Sequence, residues 1–372
     1  MESSSGMRTP LTGEHERVNA RLVNFAGWSM PIQYGSIVEE ARHVRRAAGL
    51  FDLCHMGRLR ITGPDAARLV ERTLTCATHD LAVGAVRYGL LTREDGTTID
   101  DILVYREPES FFLCVNASNK NRDVAWLRAN AAGTDAVVHD LSKSLAMIAL
   151  QGPASVAIAR AVCADDPGTL KYYGFRTARA FDQDGVLISR TGYTGEDGFE
   201  FCLPEERAID AWKRLLEVGA AHDLKRIGLA ARDTLRLEAG MPLYGHEIND
   251  TTSPVEAGLE WALTNPRDYV GKSAIEDQRA TGPARRLIGF TADDPRIPRP
   301  GYPVFDGDAH IGDVRSGSFS PVLEKNIGTA YVPAARAVPG TRLAVDLRGA
   351  RADIQIVALP FYRRKPRSEK RT

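Results

Sequence analysis

Two adjacent carboxylates inside an apolar string are the first residues in this chain that could do chemistry. Thr98-Ile99-Asp100-Asp101-Ile102-Leu103-Val104-Tyr105 reads as a strand, and the side chains of a strand alternate faces. Asp100 then shares a side with Ile102 and Val104, while Asp101 shares the other with Ile99, Leu103 and Tyr105. Both rows are otherwise apolar, so the strand is expected to be covered on both faces and to hold at least one partly desolvated carboxylate. That is costly unless a charge or a hydrogen-bond donor meets it. The spacing also fits a second reading, in which the pair only completes the turn begun at Glu94-Asp95-Gly96.

Two further strings hold polar residues in apolar settings. In Arg190-Thr-Gly-Tyr193-Thr-Gly-Glu-Asp-Gly198-Phe-Glu200-Phe, a glycine-rich turn hands over to a strand with Glu200 between two phenylalanines. Taken alone, Glu200 also fits the solvent face of an alternating strand. In Ala231-Arg232-Asp233-Thr-Leu-Arg236-Leu-Glu238, Arg232 and Arg236 lie four apart on one side of a leucine-rich helix. Such arginines either pair with carboxylates such as Asp233 and Glu238 or face an anionic or planar ligand.

The elements that must position these residues can be read in order. A Gly/Pro-rich aromatic loop at Phe25–Pro31 precedes a helix from Ser36 to Ala48 and a strand from Arg58 to Thr62. Gly63-Pro64-Asp65 opens a helix whose apolar face is Ala66, Leu69, Val70 and Leu74. Strands at Tyr88–Thr92, at the aspartate pair and at Phe111–Val115 give a small antiparallel sheet, followed by a helix from Asn119 to Ala132. A second block starts near Leu145, with strands at 185–191 and Phe199–Leu203 and helices at Glu205–Leu216 and Gly228–Glu238. After about Arg279, dense Gly and Pro separate short alternating runs, which read as a distinct all-β barrel or sandwich.

Composition excludes several function classes. The 372 residues are 43% hydrophobic and 26% charged with zero formal net charge, so the broad Lys/Arg excess of a nucleic-acid or anionic-membrane binder is missing. Five dispersed cysteines without a C-x-x-C pair, and eight histidines without metal-binding spacing, argue for reduced thiols and no metal site. No apolar run approaches the ~20 residues of a membrane span. The first seven residues read as a polar leader rather than a targeting peptide, so a cytoplasmic protein is expected. Dinucleotide, P-loop and hydrolase-elbow motifs are lacking.

Together the strings resemble aminomethyltransferase, the folate-dependent T-protein of the glycine cleavage system. The resemblance runs collinearly from about Leu11 to Phe361. It is carried by Gly27-Trp28-Ser-Met30-Pro-Ile-Gln-Tyr34, Gly49-Leu-Phe-Asp-Leu-Cys-His55-Met56-Gly57, Ile99-Asp100-Asp101 and Val115-Asn116-Ala117. It continues through the Arg190–Glu200 and Gly228–Gly240 strings, Pro254-Val-Glu256-Ala-Gly-Leu, Ser316-Gly-Ser-Phe-Ser-Pro321 and Leu359-Pro-Phe361. Cys54 stands where the family usually has Ser, Thr97-Thr98 where Gly-Gly is common, and Glu40-Ala41 where Glu-His is usual.

The resemblance implies an α+β, three-domain cloverleaf. One α+β domain would span 8–57 and 140–245, and a second, ferredoxin-like, 58–139 and 246–278. A β-barrel would span 279–362, followed by a basic disordered tail at 363–372. It implies tetrahydrofolate in a central channel as acceptor of a carbon from the aminomethyl-lipoyl arm of H-protein, with ammonia released. Asp101 would stand beside the reactive folate nitrogens, as an anion that positions folate and stabilises developing positive charge, with proton transfer secondary. Glu200 would bind the pterin, Arg232 would contact folate, and Tyr88, Asn116, Met56 and Tyr105 would line the pocket. Asp100 would be structural and point the opposite way. Tetrahydrofolate-dependent demethylases share the fold and are the alternative; a non-catalytic folate-binding protein is disfavoured by the intact aspartate pair.

Overall fold

The computed structural model describes residues 6–364. Most of residues 1–7 and 363–372, where the leader and the basic tail are expected, therefore lies outside the described residues. A six-stranded sheet, a five-stranded sheet and a closed six-stranded barrel carry the described fold, with a small three-stranded sheet near its start. The six-stranded sheet runs, edge to edge, through Phe175–Ala180, Gln183–Ser189, Gly198–Pro204, Leu145–Gln151, Ala48–Asp52 and Leu224–Arg226. The five-stranded sheet runs through Val86–Thr92, Thr98–Arg106, Phe111–Val115, Gly57–Thr62 and Val137–Asp140. The chain thus lays down Ala48–Asp52, leaves to build the whole five-stranded sheet, and returns at Leu145.

Both sheets are covered twice. Helices Ser155–Arg160 and Ala208–Gly219 bury Ile158, Trp212 and Leu215 against Ile148, Leu150, Phe199 and Phe201 on the outer face of the six-stranded sheet. Helices Ala66–Thr73 and Lys120–Ala131 bury Leu69, Val70 and Leu127 against Leu59, Ile102 and Val104 of the other. The inner faces share a third core, to which one sheet brings Phe51, Met147 and Cys202 and the other Tyr105, Phe112 and Cys114. Burial on both faces explains why strands such as Gly198–Pro204 are apolar almost throughout instead of alternating.

The loop expected at Phe25–Pro31 is instead a hairpin joining Arg21–Phe25 to Trp28–Gln33. Its two-residue turn, Ala26-Gly27, has positive φ at both positions (50° and 84°), the geometry that matches strand twist in tight hairpins. Helix Leu229–Glu238 packs on helix Ile37–Arg46 and on barrel strand Ala309–Ser320. It is tied down at 2.6–2.8 Å by Arg236 to Ser316 and Glu247 and by Glu238 to Ser320 and Arg45.

Candidate functional site

Between the inner faces of the sheets and the barrel lies a cavity of about 690 Å³. That is within the usual size for a small-molecule site, about 300–1,000 Å³. Strand Thr98–Arg106 reaches it with Asp101, Ile102 and Leu103. Asp100 is fully buried and is not part of the cavity wall; it lies on the face covered by helix Lys120–Ala131.

Strand Phe111–Val115 ends opposite this point, so the backbone beside the aspartates loses its ladder partner there. Side chains of the following turn replace it. Asn116 Nδ2 donates to the Asp101 carbonyl at 3.2 Å, to Asp101 Oδ1 at 2.8 Å and to Asp100 Oδ1 at 2.9 Å, while its backbone N donates to Asp100 Oδ2 at 3.0 Å. Asn119 Nδ2 adds a bond to Asp100 at 2.5 Å, and Tyr88 Oη donates to Asp101 Oδ2 at 3.1 Å. The two aspartates leave opposite faces of the strand, yet one amide holds both. Burial, and next the charge of Asp100, push the Asp101 carboxyl up to about 7. Burial likewise raises the Tyr88 phenol.

Glu200 sits mid-sheet, paired to Ser189 and Ala149, and is 5% exposed. It is not on a solvent face because the five-stranded sheet covers that side. It accepts a hydrogen bond from Thr191 Oγ1 and lines the cavity. Burial raises its pKa, against the opposing effects of Thr191 and Arg232. The turn before it is rigid. Arg190 clamps Asp197 through two bonds of 2.8 and 2.6 Å, and a Cβ on Gly192 would come within 1.9 Å of Gln151 Oε1.

The two arginines have different fates. Arg236 is buried and ion-paired to Glu247 and Asp233, each at 2.8 Å, so the internal-pairing reading holds for it. Arg232 lies 4.6 Å over the Tyr193 ring, near Glu200, on the cavity wall. Burial lowers its proton affinity, the mark of a cation short of compensation.

Of the residues expected at a site, Asp101, Glu200, Arg232, Tyr88, Asn116 and Met56 all line this cavity. Tyr105 does not. It is 1% exposed and wedged edge-on between Phe112 and Phe175, because its row of the strand turns into the inner core beyond the cavity. Its hydroxyl meets Thr191, behind Glu200. Sequence reasoning did not assign Tyr193, Tyr173 and Trp261, which also line the cavity; Trp261 stacks on Tyr88 at 5.0 Å and is 61% exposed. Tyr193 lay within the glycine-rich string, which was signal enough; Trp261 had only its place after Glu256-Ala-Gly-Leu. Arg363, expected in a disordered tail, also lines the cavity, and Arg364 reaches Asp197 at 3.4 Å. No cluster of metal-ligating side chains occurs among the described residues, and no described helix is long and apolar enough to cross a membrane.

Residues 11–265 match the family model described as the GCVT N-terminal domain, and residues 285–363 match the glycine cleavage T-protein C-terminal barrel domain. An aminomethyltransferase of Bacillus pumilus is 42% identical over 360 residues, 96% of this chain and 99% of its own. One of Symbiobacterium thermophilum is 44% identical over 367 residues, 96% and 97% of the two chains. The crystal structure of glycine cleavage system aminomethyltransferase T from Bartonella henselae matches with a TM-score of 0.90 at 34% identity, over 95% of this chain and 98% of that one. In sequence along nearly its whole length, and in fold, the chain belongs to the aminomethyltransferases of the glycine cleavage T-protein family.

Proposed function

We propose that the cavity binds tetrahydrofolate as one-carbon acceptor, that lipoylated H-protein brings the aminomethyl donor, and that Asp101 is the catalytic residue. The observation that carries this is one buried carboxyl, held by Tyr88 and Asn116, presented to a mainly apolar cavity with its proton affinity tuned near neutrality. The cavity's volume suits a bicyclic ring with an arylamine arm, and its walls offer aromatic faces, a carboxylate for ring N–H donors in Glu200, and a cation in Arg232. Tetrahydrofolate supplies the nucleophilic nitrogen when bound.

The chain's own residues then have separable tasks. Glu200, Arg232, Tyr88 and Asn116 orient the acceptor, which removes rotational freedom before reaction. Ionised Asp101 stabilises the positive charge that develops as the aminomethyl carbon leaves sulfur, and does so where little water competes. A carboxyl balanced near 7 also accepts or returns a proton at small cost. The five unpaired cysteines, four of them buried, fit work in a reducing cytoplasm.

The test is reconstitution with lipoylated H-protein, aminomethyl donor and tetrahydrofolate, following ammonia and methylene-tetrahydrofolate. Turnover that requires both partners is expected. Folate-dependent demethylation of a methoxy or sulfonium compound, with no ammonia released from the aminomethyl donor, would overturn the reading.

A further inference from the structure

Asp123, on helix Lys120–Ala131, is fully buried, and neither of its carboxyl oxygens has a hydrogen-bond donor. Four residues on from Asn119, it lies on the same side of the helix and meets the carboxyl of Asp100. Two carboxylates in contact, both out of water, repel strongly. Asp100 is already supplied by Asn116 N, Asn116 Nδ2 and Asn119 Nδ2. Asp123 has no such supply. The cation beside it, Arg122, donates instead to Asp250 at 2.7 Å and to the Ile99 carbonyl.

The other elements packed on this helix bring no remedy. Strand Val137–Asp140 engages it through Lys120–Asp140 at 2.9 Å and Arg128 to the Val138 carbonyl at 3.2 Å. Helix Ala66–Thr73 packs through Leu69 and Val70 against Val124 and Leu127. The charged groups facing Asp123 are thus Asp100, Asp101 and Arg122. A proton on Asp123 itself is the remaining donor, and it points at Asp100.

We propose that Asp100 and Asp123 hold one proton between them, and that this buried acid pair, coupled through Asn116, sets the protonation and the aim of Asp101 in the cavity. Asp123 is then a positioning residue that never touches substrate. The arrangement leaves one negative charge on the pair, behind Asp101. Burial and the charge of Asp100 push the Asp123 carboxyl well above the usual carboxylate range, in keeping with a proton retained at neutrality. Besides Asp100, the titratable groups around Asp101 are the phenols of Tyr88, Tyr173 and Tyr193. The functional half of the proposal rests on Asp101 being the catalytic group.

Infrared spectroscopy of the full-length protein, at mildly alkaline pH where Asp101 is ionised, tests the proton directly. The carbonyl stretch of a protonated carboxyl is expected in the wild type and in Asp101→Asn, and its loss in Asp123→Asn. No such band in the wild type, or a band unchanged in Asp123→Asn, overturns the shared proton. In the reconstituted assay, Asp100→Asn should move the acid limb of kcat down by about one pH unit or more, since a like charge beside Asp101 is gone. An unmoved limb overturns the coupling. Full turnover by Asp101→Asn with the band intact would sink the catalytic reading of Asp101 and the function assigned to the pair, leaving the shared proton standing.

Discussion

Asp52 and Asp101 are both removed from bulk water, and they come out opposite. Asp52, 3% exposed, accepts Thr9 Oγ1 at 2.7 Å and the Cys54 backbone N at 2.8 Å, and meets His15 Nε2 at 3.0 Å. Burial alone would push it up, but His15 and the two donors hold it at about 2. His15 is in turn fixed by Tyr34 Oη at 2.8 Å. Asp101 has a phenol and half an amide, with an anion behind it, and rises to about 7. Desolvation is common to both; the partners decide whether a buried carboxyl is a structural anchor or a titrating group.

The largest effect expected from breaking this contrast is on stability. Asp52→Asn removes the anion that His15 and Thr9 were built around and should cost about 3–5 kcal/mol, read as a lower urea midpoint. Asp101→Asn should leave the midpoint intact or raise it, and lose instead on the order of 2–4 kcal/mol of transition-state stabilisation, read as kcat. If Asp101→Asn unfolded while Asp52→Asn did not, the two assignments would have to be exchanged.

The pH dependence sharpens the same contrast. Asp52 is lowered from 3.8 to about 2, so its contribution, roughly 2 kcal/mol, is complete above 3.8 and disappears as pH falls toward 2. Asp101 is raised from 3.8 to about 7, so it has no effect below 3.8 and erodes stability as pH climbs through that window, with the full loss above 7. Urea midpoints from pH 2 to 8 should therefore show Asp101→Asn flatter than wild type between 4 and 7, and Asp52→Asn flatter at the acid end.

Smaller effects separate the arginines and the phenol. Arg232→Ala should weaken folate binding by about 1.5–3 kcal/mol with little change in thermal midpoint. Arg236→Ala, which leaves the buried Glu247 carboxylate without its cation, should lower that midpoint clearly. Equal thermal losses in both would erase the distinction. Tyr88→Phe removes one donor from Asp101, so kcat should fall by only about 0.5–1.5 kcal/mol and its acid limb should move to higher pH.

Much of the fold was legible because its signals are local. The strands at Phe111–Val115 and in the barrel, and the helix at Leu229–Glu238, stand close to where apolar spacing and Gly/Pro punctuation put them. The hairpin at Ala26-Gly27 was not, since two positive-φ residues can end a loop or close a turn and only the pairing of Phe25 with Trp28 tells which. Asp101, Glu200, Arg232, Tyr88, Asn116 and Met56 of the cavity wall were legible through the collinear strings that carry the family resemblance, while the barrel's share of the wall was not. Tyr105 was misplaced for a physical reason: alternation gives a side chain its face, but not how far along that face the cavity extends.

The sequence alone therefore determined that Asp100 and Asp101 leave opposite faces of one strand, because the two-residue repeat of extended backbone allows nothing else. It also placed Arg232 and Arg236 on one helical side. What each of them meets was decided only by the tertiary structure. Glu247 reaches Arg236 and not Arg232, a second sheet covers Glu200, and helix Lys120–Ala131 brings Asp123 against Asp100. Local backbone geometry sets the direction of a side chain. Dielectric, charge and proton affinity are set by neighbours that arrive from distant parts of the chain.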